Sequence, residues 1–156
     1  MQENQYRVYQ NPDGPEIGVC SAGILEVDGL CFKDLAGTGE LLPYEDWRLS
    51  DDERAKDLAK RLSVEEIAGL MLYSPHQMVP NMPGGPFQAT YDGKAFPESG
   101  KEKWALTDQQ KSFLDKDHVR HVLAMKLESG EVAARWSKEL QAFAEKLPWG
   151  IPVNIS

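Results

Sequence analysis

Apolar residues recur at helical spacing near the end of this chain and outline its clearest element. The stripe consists of Val132, Ala133, Trp136, Leu140, Phe143, Ala144 and Leu147. Pro148 and Gly150 then interrupt the pattern, and residues 151–156 have the composition of a buried parallel strand. A helix that leads into such a strand is half of a βαβ unit. Because an unpaired apolar edge strand promotes aggregation, we expect the chain to be the front part of a larger domain.

Three further helix starts match the capping-box pattern, in which two residues satisfy each other's free backbone N–H groups. The pairs are Ser50 with Glu53, Ser63 with Glu66, and Thr107 with Gln110. The second of these helices leads into an apolar run at residues 70–74, which we interpret as a first strand before Pro75. Another strand is predicted at residues 119–125. The order of strand, helix, strand, helix, strand predicts an α/β fold with parallel crossovers, either doubly wound or closed into a barrel.

Two long segments lack a regular pattern. Residues 1–49 are rich in Gly, Pro, Asp and Glu, and we expect an irregular N-terminal arm with a small hairpin at Asp28 and Gly29. The α/β part then occupies residues 50–156. Within it, residues 75–103 lose all periodicity and collect Pro and Gly, which predicts a long loop. Such loops in compact domains are typically functional or disordered.

The composition suits a single globular domain and excludes several classes of partner. The chain has 156 residues, of which 41% are hydrophobic, enough for a core. Its net charge of −8 argues against nucleic acid and anionic membranes as partners, since both require a basic surface. No apolar run approaches the roughly 20 residues of a membrane span. The N-terminus shows no secretory leader, which favours the cytoplasm, while a leader already removed would leave the periplasm or secretion open.

The sequence also lacks the common cofactor motifs. It contains no Gly-rich phosphate loop, no metal-spaced Cys/His set and no nucleophile elbow, so we expect no cofactor. Cys20 and Cys31 are expected to be free thiols, with a single disulfide as the less favoured alternative.

Residues 34–45 share the frame of a calcium-binding loop, with an acid at the first position, Gly39 at the sixth and Glu45 at the twelfth. The third and ninth positions are Ala36 and Leu42, whose side chains carry no oxygen. We therefore expect a turn that keeps the shape of such a loop and binds no calcium, so no metal site is predicted.

Four pieces of sequence resemble glycoside hydrolase family 3, the β-glucosidase group. Residues 44–50 with the helix starts that follow resemble the opening segment of that family. Residues 119–123, 134–145 and 150–156 resemble the second strand, second helix and third strand of its N-terminal (β/α)8 barrel. The four pieces occur in the right order, which makes the combination specific.

The resemblance implies that the chain is the first portion of a (β/α)8 TIM-type barrel, with about three of its strands. It further implies a retaining, exo-acting β-glycosidase. The implied substrates are β-glucosides, with β-xylosides as the less favoured alternative. The nucleophile and the acid/base of that family lie in parts of the protein that match no segment here, so we assign no catalytic residue and expect the chain alone to be inactive. The remainder of the barrel, in the same polypeptide or a second one, is the implied partner. The alternatives are a non-catalytic truncated barrel that serves as an interaction module, and one chain of a split enzyme.

Barrel enzymes carry their active sites at the carboxyl ends of the strands, so we expect this chain to supply rim residues. The candidates for substrate binding are His76, Tyr91, Lys126 and Glu128. A hydrogen bond to a sugar hydroxyl is the functional interpretation of His76, and a bond to a backbone carbonyl is the structural one that we favour. Lys126 and Glu128 lie two residues apart on an extended backbone and are expected to form a solvated ion pair.

The long loop adds three aromatic residues, Phe87, Tyr91 and Phe96, to this rim. We expect the loop to lie over the barrel mouth, where these rings would stack on the aglycone side of the substrate. The alternative is a mobile surface loop. His121, on the predicted second strand, is expected to be a core histidine with its polar atoms satisfied.

Overall fold

The computed structural model describes residues 6–85 and 87–156, so residues 1–5 of the predicted arm and Pro86 of the predicted loop lie outside the described residues. The strands are β1 Arg7–Tyr9, β2 Ile17–Val19, β3 Gly23–Val27, β4 Leu30–Asp34, β5 Gln77–Val79, β6 His121–Val122, β7 Ala124–Leu127 and β8 Asn154–Ile155. The helices are α1 Asp51–Arg61, α2 Val64–Leu70, α3 Phe96–Ser99, α4 Asp108–Asp115 and α5 Gly130–Ala144, with short 3₁₀ helices at Pro43–Glu45 and Pro148–Gly150. The chain is therefore a mixed α/β protein with small sheets.

The N-terminal arm forms two antiparallel strand pairs, β1 with β2 and β3 with β4. The predicted hairpin is confirmed: Asp28 and Gly29 both have positive φ, which a tight two-residue turn requires. The arm also has a small core of its own, formed by Ile17, Val19 and Ala22, against which Trp47 packs. The ring of Trp47 also stacks on that of Phe32, with the ring centroids 5.2 Å apart. Among the described residues both cysteines are free thiols, and burial raises the pKa of Cys20.

All three predicted capping boxes are present. The side chains of Ser50, Ser63 and Thr107 accept a hydrogen bond from the backbone three residues later. The carboxylate or amide at that third position in turn accepts the N–H of the capping residue. Because these bonds join residues three apart, they form locally and fix the starts of α1, α2 and α4.

Three stretches of chain lie side by side in parallel. A bridge joins Tyr73 to His121, β5 pairs with β7, and β6 pairs with β8. The spatial order of these stretches follows the order of the sequence, and α4 and α5 connect them. This arrangement confirms parallel crossovers and the α/β class.

The predicted positions of the first strand and the loop need correction. Residues 70–74 contribute only the bridge at Tyr73, and the strand proper is β5, which lies beyond Pro75. The chain stays extended across the proline because the N–H groups of Ser74 and Gln77, on either side of it, donate to the neighbouring strand. The prolyl nitrogen therefore lies where the ladder needs no donor. Residues 75–103 are consequently not structureless, since they hold both β5 and α3.

The main core lies between α4, α5 and the parallel strands. Its buried side chains include Val79, Leu114, Val122, Trp136 and Leu140. The predicted apolar stripe of α5 therefore faces the sheet, as a helix in a βαβ unit must. Of the predicted strand at residues 151–156, only β8 is regular. Across residues 6–85 and 87–156, no helix is long and apolar enough to cross a membrane.

Candidate functional site

The carboxyl ends of β5 and β7 form a common edge, at which the backbone N–H of Glu128 donates to the carbonyl of Val79 over 3.0 Å. The side chain of Glu128 forms an ion pair with Lys103, at the far end of the loop. The predicted ion pair between Lys126 and Glu128 is therefore wrong. The loop returns across this edge and brings the Lys103 ammonium to the carboxylate, while Lys126 is exposed.

The loop after β5 is fixed by a buried amide side chain. The Nδ2 of Asn81 donates to the carbonyl of Phe87, and its Oδ1 accepts the N–H of Ala89, each over 2.8 Å. The backbone N–H of Asn81 donates to the hydroxyl of Tyr91 over 2.9 Å. These hydrogen bonds hold Phe87 and Ala89 beside Asn81, close to the end of β5.

Tyr91, a predicted rim residue, is buried beside Asn81 in the interior of the long loop. Its side chain is only 2% exposed, and its ring packs 5.3 Å from that of Phe96. Burial raises the pKa of its hydroxyl. The expectation of an accessible ring at Tyr91 is corrected by the structure: the ring supports the loop from within.

A carboxylate at the start of α4 holds the next part of the loop. Asp108 accepts hydrogen bonds from the hydroxyl of Thr90 and from the N–H groups of Asp92 and Gly93, over 2.7 to 3.0 Å. Burial would raise the pKa of Asp108, but these hydrogen bonds outweigh burial and hold it below its usual range. A carboxylate in the first turn also complements the helix dipole.

Two of the predicted residues lie together on the outside of the loop. The ring of His76 is exposed and lies 5.4 Å from that of Phe87, at an interplanar angle of 35°. Phe87 is itself 38% exposed. Of the three aromatic residues predicted for the rim, Phe87 is the most exposed, since Tyr91 is buried and Phe96 is half-buried.

His121 is not a core histidine. Its side chain is half-buried, and its ring lies 5.2 Å from the exposed ring of Tyr73. Its Nδ1 is 3.4 Å from the side-chain amide of Asn154. The segment beside His121 forms only a single bridge, at Tyr73, so this part of the parallel strands is incompletely covered and the His121 side chain stays partly exposed.

The calcium-loop-like turn is held together by its own two acids. Asp34 accepts the N–H groups of Thr38 and Gly39, and Glu45 accepts those of Ala36 and Leu42. Within the part of the chain that the structure describes, no group of three or more His, Cys, Asp or Glu side chains is placed to hold a metal ion. That this turn binds no calcium stays a prediction.

A cavity of about 210 Å³ lies at the other end of the parallel strands, between α1, the arm and the segment that precedes β8. Leu58, Trp149 and Ile151 are among its largely apolar lining residues. The cavity lies at the amino end of β8, whereas the candidate site lies at the carboxyl ends of β5 and β7, so the two are separate.

Sequence reasoning missed Lys103, Asn81 and Asp108, the residues that organise the edge. Asp92 and Gly93 form a recognisable turn signal, which could have suggested a nearby acceptor such as Asp108. No pattern in the sequence marks Asn81 or Lys103.

No family model matches the chain. The chain is 35% identical over 139 residues to a periplasmic β-glucosidase/β-xylosidase of Dickeya chrysanthemi. The match covers 86% of this chain and 18% of that protein, so the chain spans less than a fifth of its relative's length. This similarity confirms the resemblance to the family-3 glycoside hydrolases that the motifs of the chain indicate.

Proposed function

We propose that the chain is the N-terminal segment of a retaining, exo-acting β-glycosidase that hydrolyses O-glycosidic bonds of β-glucosides. The observation that carries this proposal is the 35% identity, over 86% of the chain, to a β-glucosidase/β-xylosidase. The same relative supports activity on β-xylosides, which we propose to be the weaker of the two activities.

The proposed fold is the first portion of a (β/α)8 barrel. The three parallel stretches in chain order, with helices between them, support it. A second support is an uncovered apolar face on α2. Val64, Ile67 and Met71 lie three and four residues apart on one side of this helix, and Val64 and Met71 are 78% and 79% exposed. Apolar faces of this kind mark contact surfaces, and the remainder of the barrel is the proposed partner.

In this proposal the chain supplies residues at the rim of the active site and none of the catalytic groups. Retaining hydrolysis requires two carboxyl groups about 5–5.5 Å apart, one as nucleophile and one as acid/base. Glu128 lies at the edge, but its carboxylate is paired with Lys103. Lys126 and Glu128, near the carboxyl end of β7, are proposed as substrate contacts at the rim. His76 directly precedes β5, so its proposed substrate contact lies further from that edge. Both catalytic carboxyl groups are proposed to come from outside residues 1–156.

The test compares two proteins. The protein that carries this chain, at its full natural length, should hydrolyse aryl β-glucosides, and aryl β-xylosides more slowly, with aryl α-glucosides as the control. NMR should detect the β-anomer as the first product, which demonstrates retention. Residues 1–156 alone should show no turnover above the buffer blank. Turnover by a folded, homogeneous sample of residues 1–156 would refute the proposed division of labour. A full-length protein without glycosidase activity would instead favour the alternative of a non-catalytic interaction module.

A further inference from the structure

The residue that precedes β8 has both of its backbone groups bound by one side chain. The Nε2 of Gln141, on α5, donates to the carbonyl of Val153 over 2.7 Å, and the N–H of Val153 donates to the Oε1 of Gln141 over 3.0 Å. A carboxamide presents a donor and an acceptor side by side, as the backbone of a neighbouring strand does. Gln141 therefore takes the place of a strand partner at Val153, which is only 6% exposed.

The two backbone groups that Gln141 binds lie at the outer edge of β8, away from β6. The N–H groups of Asn154 and Ser156 donate to carbonyls on the β6 side, over 2.8 and 3.0 Å. Successive residues of a strand direct their backbone groups to opposite edges, so Val153 and Ile155 both face the outer edge. Within residues 6–85 and 87–156, β6 is the only strand paired with β8. The outer edge thus presents Ile155 to a further strand, directly beyond the position that Gln141 occupies.

The segment ahead of β8 is held in place by two more side chains. The hydroxyl of Tyr44 donates to the carbonyl of Trp149 over 3.2 Å, and the Nε of Arg120 donates to the carbonyl of Ile151 over 3.0 Å. With Gln141, these donors come from the arm, from the residue before β6 and from α5. The segment therefore cannot slide along β6 without breaking contacts to three parts of the fold. A slip by one residue would also turn its side chains to the opposite face.

We propose that Gln141 caps the outer edge of β8, so that a further parallel strand of the same protein pairs with β8 from Ile155 onward and not at Val153. The identity of this partner rests on the proposed function, since a (β/α)8 barrel places a parallel strand on each side of every strand. A strand that paired at Val153 would have to displace the carboxamide and leave its donor and acceptor without partners, which is unfavourable. The cap thereby fixes the register in which the remainder of the barrel joins this chain.

The test measures amide hydrogen exchange in the full-length protein at single-residue resolution, by mass spectrometry with electron-transfer fragmentation. Gln141→Met keeps a side chain of similar length without the carboxamide. It should accelerate exchange of the Val153 N–H roughly three- to tenfold and leave the slow exchange of the Ile155 N–H unchanged. Glu131→Met is the matched control on the same helix, because Glu131 forms only an exposed pair with Arg135, and it should change neither rate.

A second variant grades the effect. Gln141→Glu keeps the acceptor for the Val153 N–H at neutral pH and loses the donor to the Val153 carbonyl. Its acceleration at Val153 should therefore be smaller than that of Gln141→Met. Because it preserves the shape and one of the two hydrogen bonds, this variant carries the test should Gln141→Met fail to fold.

The outcomes separate this inference from the proposed function. Exchange at Val153 that neither variant accelerates would mean that another part of the protein pairs there, and it would overturn the cap. An Ile155 N–H that exchanges as fast as an exposed amide in the unchanged protein would overturn the proposed joining position. Neither rate depends on turnover, so a full-length protein without glycosidase activity refutes the proposed function and leaves both exchange results decisive.

Discussion

The N-terminal arm and the loop after β5 are both irregular, yet they are held at opposite ends of the parallel strands by different means. The arm is tied to the last turn of α5, at the amino end of β8, through Glu145. One oxygen of this carboxylate accepts the N–H groups of Cys20, Ser21 and Ala22, and the other contacts Lys33. The loop, at the carboxyl ends of the strands, is held by Asn81 and Asp108 from within its own neighbourhood.

These two ways of holding an irregular segment distinguish an attachment that stabilises the fold from a candidate functional site. The arm contacts residues more than 100 positions away and has a core of its own, so one carboxylate joins two separately packed parts. Further contacts support the same junction, such as the Tyr44 hydroxyl donating to the Trp149 carbonyl over 3.2 Å. The loop, in contrast, uses polar bonds within its own neighbourhood that leave the rings of His76 and Phe87 exposed. We infer that loss of the arm's anchor destabilises the fold more than loss of a loop anchor, because the arm's anchor joins two separately packed parts.

The largest effect should follow from Glu145→Ala. The change leaves three backbone N–H groups and the Lys33 ammonium without their buried acceptor, which should lower the free energy of unfolding by roughly 2–4 kcal/mol. Denaturant unfolding of the full-length protein measures it. Glu131→Ala is the matched control on the same helix, because Glu131 forms only an exposed pair with Arg135 and should cost less than about 1 kcal/mol. Equal losses in the two variants would contradict the anchor.

A smaller effect is expected from Asp108→Ala. Three donors from the loop lose their acceptor, but two of them are partly solvated backbone groups, so the expected loss is about 1–2 kcal/mol. Hydrogen exchange should accelerate at residues 90–93 and stay unchanged at residues 20–22. Faster exchange in both segments would mean that the arm and the loop are not independent.

The pH dependence should reveal the arm's anchor. Burial raises the pKa of Glu145, but the three N–H groups and Lys33 outweigh it and hold this pKa below the ordinary value of 4.5. Because the folded-state pKa is the lower one, the unfolded state takes up protons first as the pH falls. The stabilisation is therefore complete above pH 4.5 and is lost as the pH falls through the folded-state pKa. In Glu145→Gln, which does not titrate, the loss of stability between pH 5 and pH 3 should be smaller than in the unchanged protein.

At the small end of the scale, calcium is expected to have no effect on the stability of the turn at residues 34–45. Asp34 and Glu45 already accept backbone N–H groups of the turn, so they are not free to bind a cation without breaking it. Adding millimolar calcium should leave the Tm of the protein unchanged. A rise of several degrees, absent in Asp34→Asn, would show that the turn is a calcium site.

Features that depend on neighbouring residues were predictable from the sequence. The capping boxes join residues three apart, and the hairpin turn depends on Asp28 and Gly29, which are adjacent. The apolar stripe of α5 follows from the helical period, and the motifs that resemble family 3 follow from short stretches in order. Each of these signals is complete within a few residues, so no knowledge of the remaining chain is required to read it.

The tertiary structure decided which partner each polar or aromatic side chain has. Glu128 pairs with Lys103 rather than with Lys126, and Tyr91 is buried although Phe87, in the same loop, is exposed. The anchor of the arm joins Glu145 to residues that precede it by more than 120 positions. The free energy of such a contact depends on how the intervening chain packs and on which groups it removes from water, and neither is encoded in the local pattern around the residue.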